Sequence, residues 1–369
     1  MKFSINKIVL LREIEAALGA IEKKTTIPIL AYLKMSTEGD EIVIQATDLD
    51  ISITCRCMAK VSTKGAICLP AVRLRDIVKS VADGDVEFWQ KSDDAKVEIK
   101  AGRSKFNLAG LSVAGFPDVA NSVVEFRNLP SGAFSEAMRR GRIAITKDES
   151  RYALNGVNME IENGTVRFVS TDSHRLSISD RKATAFDGVE FKQIVPAKAV
   201  GECVRLADLD TVVGIAFDDK LIYFKFGNRV MATRMLSGQF PQWPLIVPKD
   251  APKASITVKA GDMVSLINRV AILAEGETRT IGVELSNGQL AVFTNDSAAG
   301  NSHDSIAVEY SGDTFKMGFN ATYLMEYFAA LGGSDAVIEF RDENSQLVIK
   351  LKTEDQTESA FGIVMPLRL

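Results

Sequence analysis

Histidine is almost missing from this chain: His174 and His303 are the only two among 369 residues. Cysteine is scarce as well. Cys55, Cys57, Cys68 and Cys203 form no CxxC pair, so neither a zinc site nor any other metal or cofactor is expected. Reduced, cytosolic thiols are the expectation. No apolar run approaches the length of a membrane span. The opening Met1-Lys2-Phe3-Ser4-Ile5-Asn6 lacks the apolar core of a secretory signal. A cytoplasmic chain without a membrane partner is therefore expected. Positive charge is not in excess: 44 Lys and Arg face 48 Asp and Glu, a net charge of −4. Proteins that hold nucleic acid by bulk electrostatics are usually basic. DNA binding by this chain would need basic side chains sorted onto one surface, or retention by something other than affinity.

What is present is a repeat. The stretch Ser170-Thr171-Asp172-Ser173-His174-Arg175-Leu176 sets Ser, His and Asp side by side between two expected strands. A hydrolytic triad is assembled from separated segments, and strand neighbours point to opposite faces. A structural turn or a binding surface is favoured over catalysis. No G-x-S-x-G or phosphate-cradling glycine loop occurs, and no enzyme is expected. Instead Asp172 has counterparts: Asp48 in Ala46-Thr47-Asp48-Leu49 and Asp296 in Thr294-Asn295-Asp296-Ser297, at intervals of 124. Leu69-Pro70-Ala71, Val195-Pro196-Ala197 and Phe319-Asn320-Ala321 recur in step. So do Phe116-Pro117, Phe240-Pro241 and Met365-Pro366. A period this long makes each unit a domain with its own core. The expected bounds are 1–124, 125–252 and 253–369, with polar, proline-bearing linkers at 117–124 and 247–254.

Each unit reads as α+β, an antiparallel sheet with two helices. Helices are expected at 8–21, with Val9, Ile14, Ala17 and Ile21 inward, and from residue 71. Further helices are expected at 131–145, 197–206, 261–273 and 321–331. Asn163-Gly164 and Asn287-Gly288 mark tight turns between strands. Basic residues lie on or beside the helices, among them Lys23, Lys24, Arg73, Arg75, Lys79, Arg139, Arg140, Arg142, Lys147, Arg151, Lys198 and Arg205. The helix at 321–331 has none.

The sequence resembles the bacterial DNA polymerase III beta subunit family, the sliding clamps, over essentially its whole length. The resemblance rests on Met1-Lys2-Phe3, Ile27-Pro28-Ile29-Leu30, Ala46-Thr47-Asp48-Leu49-Asp50 and Gly102-Arg103-Ser104-Lys105-Phe106. It continues with Arg151-Tyr152-Ala153-Leu154-Asn155-Gly156, Thr171-Asp172-Ser173-His174-Arg175-Leu176, Gly238-Gln239-Phe240-Pro241 and Val364-Met365-Pro366-Leu367-Arg368-Leu369. It implies three tandem clamp domains, sheets outside and helices inside. A head-to-tail homodimer would then close a six-domain ring around duplex DNA, without reading sequence. A ring holds DNA by enclosure, so an acidic chain can serve. The implied partners are the replicative polymerase, an ATP-dependent clamp loader, repair polymerases, ligase and mismatch-repair proteins, docking through short peptides. A nucleoid-associated place in the cytoplasm is implied as well.

The resemblance further implies a peptide pocket of Leu154, Thr171, Ser173, His174, Arg175, Leu176, Pro241, Ile246, Ile363, Met365, Pro366, Leu367 and Arg368. It implies DNA contacts at Lys24, Arg73, Arg139, Arg142, Lys147, Arg151 and Lys198, and a dimer joint at Arg103, Lys105, Phe106, Ile272 and Leu273. This chain departs from the family pattern in three places. Ser173 stands where glycine is frequent, Leu245 where a basic residue is common, and Ala153 replaces one of two adjacent tyrosines. A second reading is therefore a divergent extra copy of a clamp, drug-resistant or borne on a mobile element, with altered partner preference.

Overall fold

The computed structural model describes residues 1–369 except 23–24, 92–94, 121–124, 149, 277 and 296–299. The first repeat runs β1 (Lys2–Asn6), α1 (Lys7–Ala17), β2 (Tyr32–Glu38), β3 (Glu41–Thr47), β4 (Ile51–Met58), β5 (Lys60–Thr63), β6 (Ala66–Pro70), α2 (Ala71–Ser80), β7 (Asp85–Trp89), β8 (Lys96–Ala101) and β9 (Ser104–Ala109). The second runs β10 (Arg127–Pro130), α3 (Ser131–Gly141), β11 (Gly156–Glu162), β12 (Thr165–Thr171), β13 (Arg175–Lys182), β14 (Phe191–Pro196), α4 (Ala197–Ala207), β15 (Val212–Phe217), β16 (Leu221–Phe226) and β17 (Arg229–Arg234). The third runs β18 (Ala254–Lys259), α5 (Ala260–Val270), β19 (Thr280–Ser286), β20 (Gln289–Phe293), β21 (His303–Ala307), β22 (Phe315–Asn320), α6 (Ala321–Leu331), β23 (Asp335–Phe340), β24 (Leu347–Lys352) and β25 (Glu358–Val364). Apart from β5, the element order is the same three times.

Local chemistry sets the helix starts. Asn6 caps α1 by accepting from the Ile8 N–H, and Asn320 caps α6 by accepting from the Thr322 and Tyr323 N–H groups. Leu10, Ile14 and Ala17 form the buried stripe of α1, at i, i+4 and i+7. Val9 is exposed, contrary to the stripe expected from the sequence. The helix begins at Lys7, and this places Leu10 on the core side. The expected helices 8–21, 131–145 and 261–273 all end early. α1 and α5 pass into single 3-10 turns, and α3 stops at Gly141.

The compact units are not the repeats. One comprises residues 1–132 and 201–235, the other residues 133–200 and 236–369. Unit 1 holds a five-stranded sheet, β5-β1-β7-β8-β9, and an eight-stranded sheet, β10-β15-β16-β17-β4-β3-β2-β6. Unit 2 holds an eight-stranded sheet, β14-β11-β12-β13-β25-β24-β23-β18, and a four-stranded sheet, β21-β20-β19-β22. All the strand pairs in these orders are antiparallel. Each eight-stranded sheet therefore joins strands of two repeats, through β17 and β4 in unit 1 and through β13 and β25 in unit 2.

The equivalent strands β6, β14 and β22 lie at sheet ends, and each receives one antiparallel bridge from a leucine. Leu111 bridges Cys68, Leu236 bridges Ile194 and Leu367 bridges Gly318. An open sheet edge templates unwanted pairing, and a single bridged residue blunts it.

Candidate functional site

The outward face of the eight-stranded sheet in unit 2 carries most of the pocket residues singled out from the sequence. Register sets them in rows. Thr171, Leu176, Ile363 and Val348 stand side by side across β12, β13, β25 and β24. The next row is Ile194, Asn158, Val169, Ile178 and Phe361. Two segments fold over these rows, the turn Tyr152–Leu154 and the chain after β17. Leu154, Val169, Leu176, Ile178, Ile194, Phe240, Trp243, Val348 and Ile363 form one buried cluster. Ile246, Val247 and Phe361 are half-buried against it. Of the expected pocket residues, Leu154, Leu176, Ile246 and Ile363 are thus brought together. Phe240, Trp243, Val247 and Val348 were not anticipated, because their part depends on a register that the sequence does not spell out.

The Thr-Asp turn is a structural device used twice. The Asp172 carboxylate accepts from the His174 and Arg175 N–H groups, at 3.0 Å each, and Thr171 Oγ1 donates to the Arg175 carbonyl at 2.7 Å. In the first repeat, Asp48 accepts from the Asp50 and Ile51 N–H groups, and Thr47 Oγ1 donates to the Ile51 carbonyl. Leu49 and Ser173, one period apart, both adopt positive φ, 83° and 78°. The third copy, at Asp296, lies outside the described residues. Since Asp172 is spent on backbone and on Arg175 Nε, it is not placed to orient an imidazole for hydrolysis.

Arg175 is a strut. Its guanidinium meets Asp172 at 2.9 Å and Glu326 at 2.5 Å and lies 4.2 Å from the Tyr323 ring centre. Burial pulls its pKa down, but Glu326 and Asp172 outweigh burial and leave it raised. Thr171 is likewise buried, whereas Ser173 and His174 are exposed. Beside them opens a cavity of about 420 Å³ lined by Thr146, Arg151, His174, Arg175, Asn320, Tyr323 and Glu326, among others. Asn320 and Tyr323 are additions to the expected set. Asn320 stands where the other repeats have the Pro of Pro-Ala, which signals a helix cap but not a cavity wall.

The end of the chain is tied down. The Met365 N–H donates to the His174 carbonyl at 3.0 Å, and the Leu367 N–H donates to the Gly318 carbonyl at 2.8 Å. A Cβ at position 318 would fall 2.6 Å from the Leu367 oxygen, so glycine permits this approach. Pro366, Leu367 and Arg368 line a cavity of about 520 Å³ with Lys316, Gly318 and Glu343. Met365 is 41% exposed, and Pro241 is exposed on the neighbouring segment.

The other expected residues divide. Arg73, Arg139, Lys147, Arg151 and Lys198 are exposed and Arg142 is half-buried. Lys23 and Lys24 lie outside the described residues. Arg140 is buried instead and Arg205 is half-buried. Arg140 pairs with Glu358 at 3.0 Å, and Arg205 donates to the Ala16 carbonyl at 2.7 Å. Arg103, Lys105 and Phe106 lie on or beside β9, where Lys105 pairs with Glu98 at 2.7 Å. Ile272 is 77% exposed, and Leu273 beside it is half-buried. Among the described residues, no group of three His, Cys, Asp or Glu side chains could hold a metal ion. No described helix is long and apolar enough to cross a membrane.

The N-terminal, central and C-terminal domains of the DNA polymerase III beta subunit match residues 1–120, 128–242 and 245–368. The chain belongs to the DNA polymerase III beta subunit family, the sliding clamps. The Pseudomonas aeruginosa beta sliding clamp is 30% identical over 375 residues, covering all of both chains. That of Caulobacter vibrioides is 29% identical over 380 residues, again covering all of both. The crystal structure of the P. aeruginosa clamp bound to griselimycin superposes with a TM-score of 0.92 at 28% identity and full coverage of both chains. Sliding clamps are processivity factors in DNA replication and catalyse nothing, in keeping with a Thr-Asp turn that is purely structural.

Proposed function

We propose that two copies close head to tail into a ring around duplex DNA, with clamp domains at 1–124, 125–252 and 253–369. The observation that carries this is the state of β9 and β21. Their counterparts are joined at both seams within the chain: β17 and β25 correspond to β9, β4 and β13 correspond to β21. β9 and β21 end their sheets, and among the described residues no strand takes the place of those partners. Pairing β9 of one copy with β21 of another repeats the same seam a third time, and twofold use of it closes the ring. Arg103, Lys105 and Phe106 on one side and the bare Ile272 with Leu273 on the other would flank this joint.

The exposed Arg73, Arg139, Lys147, Arg151 and Lys198 would meet the DNA backbone, together with the half-buried Arg142; Lys24, outside the described residues, is proposed to join them. Burial pulls the Arg142 pKa down and the Arg139 charge adds to it, a repulsion that a phosphate would relieve. The apolar rows of unit 2, with His174 and the end of the chain, form the trough that docks short peptides. These come from the replicative polymerase, the loader, repair polymerases, ligase and mismatch-repair proteins. Griselimycin is expected to bind there too. The protein would work in the cytoplasm on the nucleoid. No observation favours the reading as a divergent extra copy.

Retention on DNA tests the ring. Clamp loaded on a nicked circle is expected to stay in high salt and to leave when the circle is cut. Surface binding would instead weaken steeply with salt on circle and line alike.

A further inference from the structure

We infer that Trp243 is the positioning residue of the peptide trough, held from outside by a ladder of alternating charge. This rests on the trough being the docking site. Lys192, Glu160, Arg167 and Asp180 stand directly opposite one another on β14, β11, β12 and β13. The Lys192 Nζ is 2.9 Å from Glu160, and Arg167 makes two bonds of 2.7 Å to Asp180. The indole of Trp243 sits on the middle of this row. Its Nε1–H donates to Glu160 Oε1 at 3.1 Å, and the Arg167 guanidinium lies 5.1 Å from its ring centre. One neighbour accepts the ring's only polar hydrogen and the next offers a cation to its π-face.

The same fold is built without this ladder. The corresponding row of the first repeat is Ala66, Ser36, Val43 and Arg56, which carries a single charge. In the third repeat the row is Lys316, Glu284, Ala291 and Ser305, which keeps the Lys–Glu pair at 3.4 Å but not the second pair. The full ladder is therefore not needed to form the sheet, and the Arg167–Asp180 half occurs only beside the one tryptophan that lines the trough. Trp243 transmits its position through backbone. Its N–H donates to the Pro241 carbonyl at 2.7 Å, and its carbonyl accepts from the Ile246 N–H at 2.9 Å. Pro241 and Ile246 are two of the expected peptide contacts, so fixing the indole fixes both. An indole released from Glu160 is free to tilt, and the trough then has to be re-formed by each peptide that enters.

The test is a double-mutant cycle on the full-length protein, with griselimycin as the probe. Trp89 is the only other tryptophan, so Trp89→Phe leaves Trp243 as the reporter. Saturating griselimycin is expected to shift its emission. Glu160→Gln is expected to weaken griselimycin about tenfold in the wild-type background and less than about twofold once Trp243→Phe is present. Thermal melts of all variants confirm that each is folded. Equal weakening by Glu160→Gln in both backgrounds would overturn the inference while leaving the trough in place. So would an indole emission indifferent to bound griselimycin. Failure of the unaltered protein to bind griselimycin would remove the trough reading and this inference together.

Discussion

At the seam between β17 and β4 the helix-facing side of β4 is apolar, with Ile51, Ile53, Cys55 and Cys57, and the outward side carries Ser52, Thr54 and Arg56. At the seam between β25 and β13, one period later, the pattern is inverted. Arg175, Ser177, Ser179 and Arg181 face the helices, and Leu176, Ile178 and Asp180 face out. The backbone and its pairing are the same in both. The inverted seam closes by other means. Ser170 and Ser177 hydroxyls donate to the Gly141 and Arg140 carbonyls at the end of α3, at 2.6 and 2.7 Å. Tyr327 donates to the Leu176 carbonyl and lays its ring on Gly362, where a Cβ would fall 2.1 Å away. A seam closed by hydrogen bonds on the helix side can spend its apolar residues outside. This is why only one of the two seams carries an apolar cluster on its outer side.

The largest contrast should come from the charges inside the seams. Glu13 and Arg229 meet at 2.5 Å on the apolar inner face of the first seam, with Glu13 Oε2 and Arg229 Nε and Nη1 unbonded among the described residues. Removing one partner leaves a buried, unpaired charge. Glu13→Ala is therefore expected to cost about 3–5 kcal/mol in urea melts, and Glu13→Leu with Arg229→Met far less. Glu358 at the second seam serves Arg140, Arg181 and Thr353 in a partly wet site. Glu358→Ala is expected to cost less, about 1–3 kcal/mol. Equal losses at Glu13 and Glu358 would break the contrast.

Truncating the outward face comes next. Leu176→Ala is expected to weaken griselimycin or a polymerase peptide about tenfold or more, while Ser52→Ala, at the same place in the first repeat, leaves binding unchanged. Calorimetric titration of both variants decides it. The smallest effect is one of pH. Burial pushes the Glu160 carboxyl up, but Lys192, Trp243 and Asn158 outweigh it and its pKa is lowered from 4.5. A depressed carboxylate adds stability that is complete above the unfolded value and is lost as pH falls through the folded one. Acid melts should show this loss below about pH 4.5 in the parent and not in Glu160→Gln. Ser36, its counterpart in the first repeat, has no titration to lose.

The repeat and the element order were legible because they are local. Turn dipeptides, the Thr-Asp landmark and a period of 124 survive as spacing; the third proline landmark does not, because Met365 and Pro366 precede Leu367, the counterpart of Leu236, whereas Phe240 and Pro241 follow it. The seams were not legible. Whether β17 pairs with β4 depends on edges more than 170 residues apart meeting in three dimensions. The same limit hid Trp243, whose partners Glu160 and Arg167 become neighbours only through register. It also hid the burial of Arg140, which helical spacing alone left among the solvent-facing cations. Leu154, Leu176 and Ile363 were named by resemblance, and in the structure they share one row and its cover.

The three leucine bridges have a practical side. Leu111, Leu236 and Leu367 each cover the flank of a sheet-end strand with a single residue. A fluorescent protein or affinity handle placed beside Leu367 would tug on that stitch and bare the flank of β22. The exposed turn at Gly39, between β2 and β3, bears no such duty. It is the better place to attach a reporter for following single clamps along DNA.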